Sequence, residues 1–155
     1  MTVPPTSGIP TLTFPALTFP AGAYAEMIAC AYSAYPLEAC GLLAGIGTDV
    51  HRFVPCTNEA ASAKVYAIPG KELLRAERAA EDDGLEILGV FHSHTHSEPY
   101  PSPTDVAQAP DPGWQYVIVS LKRESPEARC WRIDPAAAAG QQIVEVPISV
   151  TPLQS

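Results

Sequence analysis

Apolar positions along the chain fall into short blocks divided by proline, glycine and small polar residues. Residues 1–16 form an extended, proline-punctuated lead-in, in which Leu12-Thr13-Phe14-Pro15-Ala16 is followed at once by a copy, Leu17-Thr18-Phe19-Pro20-Ala21. The second copy predicts the first strand, short and at a sheet edge because proline cannot donate to a ladder. Exposed Phe14 and Phe19 on such an edge would let two chains pair as a homodimer. Residues 21–34 are helical by composition, with Met27, Ile28, Ala31 and Ala34 on one face and Pro36 as the stop. Residues 40–46 read as a buried strand, and residues 51–55 and 64–68 as two further strands joined by the turn-forming run 57–62. A second helix spans residues 70–82, with Leu73, Leu74, Ala76 and Ala80 inward and Arg75, Arg78, Glu81 and Asp82 outward. The apolar run 86–92 has the character of a central strand and leads directly into a histidine cluster. Residues 115–121, 128–133 and 142–150 complete the set of strands, the last split at Pro147, and the pattern predicts a mixed α/β sheet.

Composition narrows the function classes. The chain has 155 residues, 46% of them hydrophobic and 17% charged, which fits one globular domain of ordinary size. A net charge of -8 opposes the attraction that drives binding to nucleic acid and to anionic membranes, so neither is an expected partner. The first 25 residues carry five prolines and no basic n-region, which excludes a spanning helix and a secretory signal and predicts a cytoplasmic protein. Cys30, Cys40, Cys56 and Cys130 are too widely spaced for a CxxC motif and read as free, mostly buried thiols. Gly41 and Gly45 mark close backbone approach within the sheet.

The chemistry lies at the end of the central strand. His92-Ser93-His94 puts two imidazoles on one face of a strand, because side chains repeat every two residues. Such a pair alone is more often exposed polar surface than a ligand pair. Here Asp105 follows to supply a third ligand, Ser102 stands three positions before it, and Pro99, Pro101 and Pro103 stiffen the intervening loop. Two neutral imidazoles and one carboxylate suit one Zn²⁺ per chain, with the fourth tetrahedral position left for water, as in a catalytic site. His96 shares the parity of the pair and reads as a supporting or surface residue, since a fourth protein ligand would displace the water. His51 reads as structural or exposed.

The run from His92-Ser93-His94 through Ser102 to Asp105 resembles the motif of the JAMM/MPN+ zinc metallopeptidases residue for residue. Members of that family carry an upstream glutamate followed by a glycine-rich apolar stretch, and Leu37-Glu38-Ala39-Cys40-Gly41-Leu42-Leu43-Ala44-Gly45 is similar to it. The resemblance continues through Thr57-Asn58-Glu59-Ala60, Tyr66 and the strand near Tyr116, and implies a domain over residues 17–150 with a tail at 151–155. The implied fold is α/β (α+β), a mixed, curved sheet flanked by helices. Thr95 stands where many eukaryotic members have proline, so the chain looks closer to small single-domain bacterial members that process ubiquitin-like sulfur carriers, the mycobacterial cysteine-releasing type among them.

The resemblance assigns catalytic roles to Glu38 and Ser102. Glu38, which alone would read as a surface carboxylate, becomes the general base and then acid, and Ser102 donates to the oxyanion, a contribution of about 3 kcal/mol in comparable deletions. Cys40, beside Glu38, has no His-plus-acid set to activate it and is not read as a nucleophile. Trp114, Tyr116 and Trp131 read as core or rim aromatics. The implied function is hydrolysis of a peptide or isopeptide bond after the Gly-Gly tail of a ubiquitin-like or sulfur-carrier protein. A non-catalytic scaffold of the same fold is the competing reading, and loses weight because Glu38, His92, His94, Ser102 and Asp105 are all present. A DNA-repair relative would require asparagine at 93 and proline at 95, and the chain has Ser93 and Thr95.

Overall fold

The computed structural model describes residues 13–153, so most of the lead-in, with Leu12 of the first pentapeptide copy, lies outside the described residues. Eight strands and three helices run in the order β1 (Leu17–Pro20), α1 (Ala21–Ala34), β2 (Cys40–Ile46), β3 (Asp49–Cys56), α2 (Gly70–Asp82), β4 (Glu86–His94), α3 (Pro103–Ala107), β5 (Gln115–Ser120), β6 (Glu127–Ile133), β7 (Ile143–Val146) and β8 (Ile148–Thr151). They form one mixed sheet in the order β7-β6-β5-β4-β2-β3-β1-β8. The β4–β5, β1–β3 and β1–β8 pairs are parallel and the remaining pairs antiparallel. β7 and β8 are adjacent in sequence across Pro147 yet lie at opposite ends of the order, so the sheet has to curl until its two edges approach one another.

Both faces of the sheet are covered. On one face, Leu43, Phe53, Phe91, Val117, Val119, Cys130 and Val146 join Leu17 and Phe19 around Met27 and Ala31 of α1. On the other, Leu42, Val90, Tyr116, Ile118, Trp131 and Ile133 pack with Ala76 of α2. With both faces covered, β2, β4 and β5 read as continuous apolar runs rather than alternating ones. Gly41 has no side chain because a Cβ there would lie 2.6 Å from the Phe53 ring and from the Val54 carbonyl oxygen, which bears out the expected close approach in β2.

Four expectations need correction. β1 is an interior strand, because β8 arrives from the far end of the chain and pairs with it along its whole length. Phe19 is consequently buried and Phe14 half-buried, with the Arg132 guanidinium over its ring, which removes the reason for edge-to-edge self-association. Residues 64–68 form no strand. Their backbone is held by the Asn58 side chain, which donates to the Val65 carbonyl and accepts from the Ala67 N–H. Leu74 is exposed, since Leu73, Ala76 and Ala80 make the i, i+3, i+7 face of α2 and Leu74 lies beside it. Helix α3 had no counterpart in the sequence reading. Its signal was local, a Ser102–Asp105 capping box with Pro103 at the first helical position. Among the described residues no helix is long and apolar enough to cross a membrane.

Candidate active site

β4 delivers both histidines to the face that carries α2. His92 and His94 share the parity of Val90, and Cys40 of β2 pairs with His92, so Glu38, two residues before Cys40, enters on the side of His94, whose charge it feels. This junction is tied by Ser93, whose hydroxyl accepts from the Ala39 N–H at 2.8 Å while its N–H donates to the Ala39 carbonyl at 3.0 Å. α3 brings the third group. The Ser102 hydroxyl accepts from the Asp105 N–H at 3.0 Å, and the Ser102 N–H donates back to Asp105 Oδ2 at 2.8 Å.

The result is a convergence of three donor atoms. His92 Nε2 and His94 Nε2 are 3.2 Å apart, and Asp105 Oδ2 lies 3.2 Å from the first and 3.1 Å from the second. His94 Nδ1–H donates to the Glu98 carbonyl at 2.7 Å, which fixes the tautomer whose Nε2 carries a free lone pair. All three side chains are buried or nearly so. A tetrahedral zinc with nitrogen and oxygen ligands at 2.0–2.1 Å requires ligand atoms about 3.3 Å apart, and the donor set fits it without rearrangement.

The electrostatics follow from burial and from these contacts. Burial pushes the Glu38 carboxyl up to about 8, against the opposing pull of His94. Glu38 is 3% exposed and its Oε1 has no hydrogen-bond partner. Burial also works to raise Asp105, yet contact with the two imidazoles and the hydrogen bond from the Ser102 N–H hold it below the usual carboxylate range. His92 is pushed down by burial, whereas for His94 the same burial is outweighed by the nearby Asp105 carboxylate and the Glu98 carbonyl, and the ring is raised. The Tyr66 ring stacks on His92 with centroids 4.3 Å apart. From there a cavity of about 320 Å³, lined by Leu42, Val65, Ile68, Leu73, Val90 and Trp114, opens beside Asp105.

Comparison with known proteins places this site in a family. The family of prokaryotic homologues of the JAB domain matches residues 20–134. The chain belongs to it. This JAB-domain protein is 39% identical over 127 residues to the CysO-cysteine peptidase of Mycobacterium tuberculosis, across 80% of its own length and 84% of the relative. It is 38% identical over 91 residues to the desampylase of Haloferax volcanii, across 55% of its own length and 63% of that protein. The solution structure of a Desulfitobacterium hafniense protein superimposes with a TM-score of 0.75 at 33% identity, covering 86% of this chain and 92% of the other. The expected resemblance and the α/β fold with a mixed, curved sheet are thereby borne out, and the JAB-domain protein is a metallopeptidase of the JAMM type.

The other residues singled out in the sequence stand apart from the cluster. His96 is exposed and meets Thr95 Oγ1 at 2.9 Å and Tyr35 Oη at 3.4 Å. His51 is exposed on β3. The Cys40 thiol is buried, donates to the Thr57 carbonyl, and is pushed up to about 12 by burial, a poor nucleophile by every measure. Tyr116 and Trp131 are core residues, and Trp114 lines the cavity.

Sequence reasoning gave no role to Asn58. Its Nδ2 donates to the Glu38 and Val65 carbonyls, both at 3.0 Å, and its Oδ1 accepts from the Ala60 and Ala67 N–H groups at 3.1 and 3.0 Å. Asparagine within a turn-forming run was the available signal, but its partners lie up to 20 residues away.

Proposed function

We propose that this JAB-domain protein is a zinc peptidase that cleaves the peptide or isopeptide bond after the C-terminal Gly-Gly of a ubiquitin-like or sulfur-carrier protein. The observation that carries the metal is the mutual 3.1–3.2 Å spacing of His92 Nε2, His94 Nε2 and Asp105 Oδ2. Zinc held there supplies a Lewis acid that polarises the scissile carbonyl and acidifies water. Glu38 takes the proton of the attacking water and returns it to the departing nitrogen, a task that suits a buried carboxylate with an unpaired oxygen and an affinity for protons near neutrality. The Ser102 hydroxyl accepts from the Asp105 N–H and so keeps its own O–H to donate to the oxyanion.

The apolar cavity beside Asp105 supports an extended tail as substrate, and glycine at the scissile position leaves no side chain to block approach to the three donor atoms. The names of the two relatives support a carrier conjugate as substrate and leave open which group departs. Residues 17–150 constitute the catalytic unit in this reading, with 1–16 as lead-in and 151–155 as tail. Four free thiols fit a reducing compartment and hence a cytoplasmic site of action. A scaffold role gives no use to a buried Glu38 carboxyl whose Oε1 has no partner, whereas general acid–base chemistry does. Elemental analysis tests the metal: one zinc per chain is expected in wild type, and stoichiometric zinc in both His92→Ala and His94→Ala would refute the assignment.

A further inference from the structure

β5 is apolar from Tyr116 to Val119 and then ends on Ser120, which is 2% exposed and plays no part in the chemistry above. Ser120 pairs with His94 in the parallel register of β4 and β5, and the following N–H, of Leu121, donates to the His94 carbonyl at 2.9 Å. The Ser120 hydroxyl donates to the Ser97 carbonyl at 2.6 Å and accepts from the Lys122 N–H at 3.2 Å. Two residues further along the same loop, Trp131 Nε1–H donates to the Pro99 carbonyl at 2.9 Å, and the Tyr100 ring meets the Trp131 ring edge-on with centroids 5.0 Å apart. Between these two pins lies Glu98. Its carbonyl is the acceptor that fixes His94, and its carboxylate is clamped at the surface by Lys122 and Arg123. The clamp grips the exposed carboxylate end of the side chain and makes no contact with the backbone carbonyl, so it does not set that carbonyl's direction. The Glu98 carbonyl also accepts from the Tyr100 N–H at 2.8 Å, and the two buried pins hold the residues on either side of it, Ser97 and Pro99, in place.

We propose that Ser120 and Trp131 are positioning residues of the metal centre, acting through the backbone of residues 97–99 to keep the Glu98 carbonyl on His94 Nδ1–H. A neutral imidazole carries its proton on either nitrogen. Only the Nδ1–H tautomer presents Nε2 as a ligand, and the loop selects that form before zinc arrives. The inference rests on the zinc reading above, and the experiment separates the two. Zinc affinity of Ser120→Ala and Trp131→Phe is measured by chelator competition, and the His94 Nδ1–H signal is followed by NMR in the zinc-loaded proteins. Each variant is expected to bind zinc about tenfold more weakly, in line with the loss of other groups that orient metal ligands, and to exchange that proton faster than wild type. Ile133→Val removes one methylene-sized group from the core of β6 without touching the loop, and should lower stability while leaving both readings unchanged. Zinc binding within twofold of wild type in both variants with an unaltered His94 proton, or an equal loss in Ile133→Val, would overturn the proposal and leave the zinc site standing. A wild type that binds no zinc overturns the site itself and the positioning role with it.

Discussion

Replacing Asn58 by alanine removes one side chain that bonds five backbone groups, the Ser62 carbonyl most weakly at 3.5 Å. The Ala60 and Ala67 N–H groups are exposed and water can satisfy them, so their loss costs little. The Glu38 and Val65 carbonyls are partly buried, and each stranded acceptor costs about 1–2 kcal/mol. The total is about 3 kcal/mol, which for a domain of this size lowers the melting temperature by about 6–12 °C. Activity should fall further than stability requires. Glu38 is anchored through its own N–H to the Ser62 carbonyl at 2.8 Å and through its carbonyl to Asn58, and both ties belong to the segment that Asn58 organises. The expected kinetic pattern is a lower kcat with KM little changed, while zinc affinity stays within twofold of wild type because His92, His94 and Asp105 are held independently. Asn58→Asp is the sharper companion. It keeps the two acceptor bonds but turns a carboxylate towards the Glu38 and Val65 carbonyls, and should be at least as damaging as alanine. Urea unfolding of the zinc-loaded proteins, followed by steady-state kinetics below the melting temperature, measures both effects. An alanine variant within 0.5 kcal/mol of wild type, with undiminished kcat, would refute the reasoning.

Glu38→Gln should retain zinc and lose at least about 100-fold in kcat, because an amide cannot accept the water's proton. In the metal-free protein the same substitution should change how stability depends on pH. The folded state keeps a proton on Glu38 up to about 8 whereas the unfolded chain loses it near 4.5, so wild-type stability falls as pH rises through that window, and the variant's curve, followed by thermal melts from pH 4 to 9, should be flatter. Ser102→Ala should lower kcat by about 100–1,000-fold as an oxyanion donor and cost about 1 kcal/mol as the cap of α3, with single-turnover kinetics and urea melts separating the two effects.

The site was legible in the sequence because its chemistry is written in local spacing. A strand-end His-x-His, a serine three residues before an aspartate and a glutamate before a glycine-rich strand each need only their near neighbours to be recognised. What supports them was not legible. Ser120 and Trp131 act on a loop 23 and 32 residues earlier in the chain, and Asn58 reaches back 20 residues to Glu38. Each of these three side chains is an ordinary serine, tryptophan or asparagine until the fold supplies its partner. The same distance effect explains the fold errors. Val65-Tyr66-Ala67-Ile68 is a short apolar run of the kind that reads as a strand, but Asn58 takes hydrogen bonds that a ladder would have used. Pro20 does close β1, yet β8 comes from 131 residues away to pair with a strand whose proline predicts an edge position, as the pairing of Leu17 with Ile148 shows.

Everything above converges on zinc-dependent cleavage after Gly-Gly on a folded carrier. Its most direct test is mass spectrometry of small ubiquitin-like carrier proteins from the same organism, each extended beyond Gly-Gly by one residue or a short peptide, after incubation with the zinc-loaded enzyme. Loss of the extension immediately after the second glycine is expected, abolished by a chelator, restored by added zinc, and absent with Glu38→Gln. Extensions left intact on every carrier, or removal that persists undiminished in chelator, would contradict it.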